Sequence, residues 1–218
     1  MIGINIAGRK EWNALLNIYN KKEEDLTNYP YGEYFTFTVN NKEVIFYRCG
    51  TRKTKSSGAT QYMISNFNLE KVIVIGTSAG MDTKYNLLDI FIPNKALQVD
   101  CSYIEKGDEF NKDYIIDIDL SKYGDEFKTC TIGSSDRAMI YKEVCDLMYS
   151  KGLTLIDMES APIAYICKVN NVECIIIKGI SDFPSNFDFN DSEQFQEYVR
   201  NVPVVMEKIC TEYLEKFI

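Results

Sequence analysis

The 218-residue sequence contains no histidine. That absence removes Ser-His-Asp and Cys-His catalysis and every histidine metal site. Proton transfer, if there is any, must run through Asp, Glu, Lys, Tyr or Cys. Positive charge is also scarce: 24 Lys and Arg stand against 32 Asp and Glu, a formal charge of -8. Binding to phosphate-rich surfaces needs clustered Lys and Arg, so neither nucleic acid nor a membrane is an expected partner. Long apolar runs are missing too. Stretches such as Val72–Ile75 and Cys174–Ile177 fall far short of the ~20 residues that span a bilayer. At the N-terminus, Arg9 and Lys10 follow the apolar residues, the reverse of a signal peptide. The seven cysteines are an odd number, scattered and without a CxxC pair. A disulfide framework or zinc site would show tight, paired spacings. Free thiols in a reducing, cytoplasmic setting are the expectation, and Asn190-Asp191-Ser192 is a glycosylation sequon by spelling only.

What remains is an ordinary globular composition, 45% hydrophobic and 26% charged, in a chain long enough for one good-sized core. Five prolines and no repeat or low-complexity linker favour a single domain. Short apolar runs alternate with longer amphipathic stretches. Strands are expected at Ile2–Ala7, Lys71–Gly76, Asp89–Pro93, Leu97–Tyr103, Lys128–Ser134, Leu153–Ile156 and Glu173–Ser181. Tyr34–Val39 and Glu43–Cys49 read as a hairpin around Asn40-Asn41-Lys42. Helices are expected at Lys10–Tyr19, Ser57–Phe67, Ala138–Ser150, Met158–Val169 and Ser192–Phe217. Between Glu105 and Phe127 only Tyr114–Leu120 has clear periodicity. Strands that are continuously apolar and mostly joined by helices imply an α/β sheet covered on both faces, and the hairpin makes it mixed.

In such sheets ligands bind beyond the carboxyl ends of the strands. Gly8-Arg9-Lys10-Glu11 follows the first strand and Gly76-Thr77-Ser78-Ala79-Gly80 another. Asp157-Met158-Glu159-Ser160 and Ser181-Asp182 follow two more. Without histidine, carboxylates of shifted pKa are the natural acid and base. Taken singly, each has a structural alternative. Asp157 fits a helix N-cap, Glu159 a helix-dipole partner, Asp182 a loop cap and Glu11 a solvated helix position. The glycine-containing turn matches neither GxGxxG nor a P-loop. Joint placement points to a carboxylate-driven enzyme and leaves its substrate open.

Leu155-Ile-Asp-Met-Glu-Ser-Ala161 followed by Ile177-Lys-Gly-Ile-Ser-Asp182 resembles the paired signature of the nucleoside phosphorylase superfamily. Within it, the 5′-methylthioadenosine/S-adenosylhomocysteine nucleosidases are most similar. Ile2-Gly-Ile with Glu11, Gly58-Ala59-Thr60, Gly76–Gly80, Leu88-Asp89-Ile90 and Ser134-Ser135-Asp136 lie in matching order. The resemblance implies one nucleoside phosphorylase-like domain over 1–218, a three-layer αβα sandwich around a mixed sheet. It further implies that Asp182 protonates purine N7, that Glu159 grips the ribose hydroxyls with Met158 on the sugar face, and that Glu11 deprotonates a water near Ser78. Ser181 would position Asp182, Asp157 would lie in the binding region, and a homodimer would form. No metal or organic cofactor is implied.

The sequence departs from the family at several places. Ala138, followed by Met139, stands where an adenine-stacking aromatic is usual, Asp157 replaces a glutamate, and Met81 replaces a glycine. Phosphorylases of the family place an arginine where this chain has Ile75, which favours water as nucleophile. Arg9, Arg48 and Arg52 keep a phosphorylase as the alternative, since arginine suits phosphate best. A nucleoside-binding protein without catalysis is the second alternative.

Overall fold

The computed structural model describes residues 1–82, 84–101, 112–137, 142–184 and 192–218. Strand β5 (Lys71–Gly80) is the axis of the sheet. Its first half pairs in parallel with β1 (Ile2–Ile6), and its other edge pairs in parallel with β11 (Glu173–Asp182) over most of its length. Its Val72–Ile75 stretch is wholly apolar because both its faces are covered. Ile73 and Ile75 belong to one core with Trp12, Leu15, Val202 and Val205. Val72 and Val74 belong to the other, with Ala59, Met63, Ile163 and Ala164. Period-two alternation of side chains thus feeds two helical layers from one strand.

The first layer is α1 (Arg9–Ile18) with α5 (Ser192–Lys208), and the second is α2 (Lys53–Phe67) with α4 (Ser160–Val169). Beyond β1 the sheet continues through β4 (Lys42–Arg48), β3 (Gly32–Val39) and the short β2 (Thr27–Tyr29). The Asn40-Asn41 turn has two positive φ values, 49° and 61°, which give the twist that a tight hairpin needs. On the far side, β10 (Leu155–Asp157) meets the upper end of β5 in antiparallel fashion and leads on through β9 (Thr131–Ser134) and β7 (Lys95–Gln98) to β8 (Ile115–Asp117). A short β6 (Ile90–Phe91) pairs with β11, and α3 (Lys142–Ser150) packs Cys145 and Met148 against Leu97, Val99 and Leu153. This is the expected three-layer sandwich with a mixed sheet.

Several boundaries differ from the expectation. Strand β5 does not end at Gly76 but runs to Gly80, because Ala79 and Gly80 find partners in Ile156 and Leu155 of β10. The expected strands at Asp89–Pro93 and Leu97–Tyr103 shrink to Ile90–Phe91 and Lys95–Gln98, and the latter gives way to a 3-10 turn at Val99–Cys101. Met158 and Glu159 stay outside α4, which leaves Pro162 in its first turn, where no N–H is missed. The closing helix changes pitch after Lys208, through a π turn at Ile209–Tyr213 and a 3-10 turn at Leu214–Phe217. All seven cysteines are free thiols. Among the described residues no helix is long and apolar enough to cross a membrane.

Candidate active site

The carboxyl ends of β1, β5, β10 and β11 open onto one cavity of about 250 Å³. Glu11, Ser78, Asp157, Met158, Glu159, Ser181 and Asp182 all line it, so seven of the nine sequence-derived site residues meet there. Ala138 and Met139 lie outside the described residues.

Glu11 is buried, and its carboxylate is fully oriented by its neighbours. It occupies the third position of α1 and reaches back to accept the Gly8 N–H at 2.8 Å on Oε2. Its Oε1 accepts the Thr77 N–H at 2.6 Å and the Thr77 hydroxyl at 2.8 Å. This approach requires Gly76, whose φ is +152° and whose Cβ, were there one, would stand 2.6 Å from Glu11 Oε1. Thr77 carries no sequence signal of its own; continuation of β5 brings it to Glu11.

Asp182 is aimed by a bulge. Ser78 pairs with Ile180, yet Ala79 pairs with Asp182, so Ser181 is the extra residue. A bulge of this kind turns the following side chain off the regular alternation. The Ser181 hydroxyl donates to Asp182 Oδ1 at 2.6 Å, and Asn201 of α5 holds the Ser181 carbonyl at 2.8 Å. Burial pushes the Asp182 carboxyl above its ordinary pKa; the Ser181 hydroxyl opposes this and Glu197 adds to it.

Glu159 is buried at the other wall and accepts the Arg52 N–H on Oε1 at 2.7 Å. Its pKa is pushed up to about 8, first by burial and then by the Asp157 carboxylate, against the pull of Lys178 and the Arg52 N–H. Asp157 itself is spent on the protein. Its oxygens accept from the Ser134 hydroxyl at 2.6 Å, the Ser160 hydroxyl at 2.5 Å and the Ser160 N–H at 3.2 Å. It therefore caps α4 even as it borders the cavity.

Two further residues complete the site. Lys178 is fully buried in β11 and lies 3.2 Å from Asp157 Oδ2. Burial disfavours its ammonium, but Asp157, Glu11 and Glu159 outweigh that and hold its pKa above the ordinary value. A lysine in the middle of an otherwise apolar strand was a readable signal for this role. Tyr198, brought to the cavity by α5, had none. Burial, then the charges of Glu11, Asp182 and Glu159, raise its hydroxyl pKa.

No Arg or Lys lines this cavity among the described residues. Arg9 and Arg48 both bind Glu33, at 2.8 and 2.6 Å, and the Arg52 guanidinium donates to the Asp136 carbonyl. The sequence pattern of the Phosphorylase superfamily matches residues 6–215.

The chain belongs to the phosphorylase superfamily.

Within the superfamily it is similar to the 5′-methylthioadenosine/S-adenosylhomocysteine nucleosidase of Staphylococcus epidermidis, with 27% identity over 84% of this chain and 86% of that protein. It is also similar to the aminodeoxyfutalosine nucleosidase of Helicobacter pylori, with 26% identity over 91% of each. The solved structure of Helicobacter pylori futalosine hydrolase matches with a TM-score of 0.81 at 20% identity, covering 99% of this chain and 96% of that one. That of the Helicobacter pylori methylthioadenosine/S-adenosylhomocysteine nucleosidase gives 0.79 at 21%, over 96% and 95%. These structural likenesses establish the superfamily fold.

Proposed function

We propose that the protein is an N-glycosyl hydrolase that cleaves a purine 5′-thionucleoside, methylthioadenosine or S-adenosylhomocysteine, to the free base and the thioribose. The observation that carries this reading is the meeting of Glu11, Glu159 and Asp182 around one cavity, with the first anchored by three donors and the carboxyl pKa of the other two raised by burial. Neutral Asp182 gives its proton to purine N7, and the C1′–N9 electrons leave with the base. Glu11 takes a proton from the water that attacks C1′, with Ser78 beside it. The sugar is oxocarbenium-like as the bond breaks, so Glu11 and Glu159 stabilise charge that exists only in the transition state. Glu159 accepts the ribose hydroxyl donors, which favour its anion once substrate is bound. Met158 packs on the sugar, Ser181 orients Asp182, and Lys178 offsets the negative charge of Asp157, Glu11 and Glu159.

Water is favoured over phosphate on the disposition of the cations. Arg9 and Arg48 share the Glu33 carboxylate: burial would raise its pKa, but the two guanidiniums hold it below the ordinary value. A phosphate would have to displace that carboxylate. The family likeness also supports a homodimer working in the cytoplasm. Chromatography of a panel containing methylthioadenosine, S-adenosylhomocysteine, aminodeoxyfutalosine, adenosine and inosine, with and without phosphate, tests the reading. Adenine release in phosphate-free buffer is the expected result; strict dependence on phosphate rejects it.

A further inference from the structure

The segment that supplies a backbone donor to Glu159 is held in a conformation that its own residue disfavours. Arg52 has φ +77° and ψ 164°, where a Cβ crowds the backbone and glycine is the usual occupant. Such a backbone persists only where its surroundings over-determine it. Here they are a knot of two carboxylates and two cations. Asp136 Oδ1 accepts the Lys53 N–H at 2.8 Å, and the Asp136 carbonyl accepts from the Arg52 guanidinium. Asp100 closes the far side. Its Oδ1 accepts from the Lys53 ammonium at 2.5 Å, and its Oδ2 from the Asp136 N–H at 2.9 Å and the Ser135 hydroxyl at 3.4 Å. Neither Asp136 nor Asp100 lines the cavity, and neither has a part in the chemistry described above. Yet the knot ends on the Arg52 N–H, 2.7 Å from Glu159 Oε1.

We infer that Asp136 is a positioning residue for the Glu159 grip on the ribose, acting through the strained Arg52–Lys53 backbone that it clamps. The inference rests on the role proposed for Glu159. By fixing Oε1, the Arg52 N–H decides where the second oxygen goes. As a donor to the charged form it also favours the Glu159 anion, which the ribose hydroxyls need as acceptor. The other charged or titratable groups around Glu159 are Asp157 of β10, Lys178 of β11 and Glu11 of α1, with Cys49 after β4 and Tyr198 of α5. None of these is a hydrogen-bond partner in the Asp136–Asp100 knot.

The test is the pH profile of kcat/KM for methylthioadenosine hydrolysis in wild type, Asp136→Ala, Asp136→Asn and Glu159→Gln. Asp136→Ala is expected to lower kcat/KM by about tenfold, mostly through KM, the scale of one lost hydrogen bond to a charged group. Its acid limb should move to higher pH, because Glu159 loses a donor that favours ionisation. Asp136→Asn keeps an oxygen for the Lys53 N–H and should recover most of the loss. A folded Asp136→Ala with wild-type KM and an unmoved limb, beside a crippled Glu159→Gln, overturns the inference alone. So does an asparagine variant no better than alanine. A Glu159→Gln enzyme with wild-type kinetics removes the underlying reading and this inference with it. Should Asp136→Ala fail to fold, Asp100→Ala at the exposed end of the knot carries the test: the same limb should shift in the same direction, and an unmoved limb overturns the inference.

Discussion

Asp182 and Glu159 share one physical condition, burial that disfavours charge, but the proposed chemistry asks opposite things of them. Asp182 must be neutral when it meets the base, so desolvation prepares it for its task. Asp182→Asn is expected to cut turnover by about 10²–10⁴-fold, the usual contribution of a general acid, while changing Tm little. A variant with near-normal turnover removes the assignment. Glu159 must be anionic when it holds the sugar, yet its pKa of about 8 in the unliganded protein leaves it mostly protonated at neutrality. Substrate donors supply the missing stabilisation. A stability consequence follows, with a definite sign. The folded pKa is raised above the unfolded value of ~4.3, so the native state holds the proton more tightly. That contribution is complete below pH ~4.3 and is lost as pH rises towards 8. Thermal melts of wild type and Glu159→Gln should therefore diverge between these limits, the variant gaining relative to wild type as pH increases. Parallel melting curves across that window rule out the raised pKa.

Elements decide where these residues sit. The extension of β5 to Gly80 brings Thr77 onto Glu11, and the bulge at Ser181 aims Asp182. Both features fall in the carboxyl-terminal halves of the two central strands, where regular pairing gives way to the cavity. Gly76 is the joint. An added Cβ would lie 2.6 Å from Glu11 Oε1 and 3.2 Å from Lys178 Nζ, at a φ that side chains rarely adopt. Gly76→Ala is expected to cost about 1–3 kcal/mol in urea unfolding from backbone strain. It should also lower kcat by about tenfold or more, through displacement of Glu11. Wild-type kcat in a destabilised variant would show that Glu11 tolerates the shift.

At the scale of the whole molecule, two helical layers cover the sheet, and Glu11, Glu159 and Asp182 gather at one edge of it. Charge is partitioned accordingly. The buried cation Lys178 serves the carboxylates, while Arg9 and Arg48 are tied to Glu33. Glu33 is the reason added phosphate should neither accelerate the enzyme nor compete with substrate. Large apolar side chains remain exposed on α4 and α5, among them Tyr165, Val169, Phe195 and Val204. A homodimer would cover part of such surface, and sedimentation velocity at micromolar protein is expected to give twice the chain mass. A monomer that is fully active at that concentration removes the dimer from the reading.

Local pattern was enough for the layers of the fold. Continuous apolar strands such as Val72–Ile75 imply a sheet covered on both faces, and the absence of histidine pointed the proposed chemistry towards carboxylates. The paired motifs around Glu159 and Asp182 then placed the chain in its superfamily. Lys178 was not among the expected site residues, although a charge inside a buried strand is a signal that could have found it. Other parts of the site were not. Thr77 and Tyr198 are common residue types whose place in the cavity depends on strand pairing and on helix docking across more than a hundred residues of chain. The strained Arg52 and the Asp136–Asp100 knot depend on contacts between segments more than thirty residues apart. Covalent order sets which faces are apolar and where turns can form, because these follow from neighbours along the chain. Hydrogen-bond partners, the desolvation of a carboxyl and the aim of a bulged strand are properties of packed neighbours, and only the assembled tertiary structure supplies those.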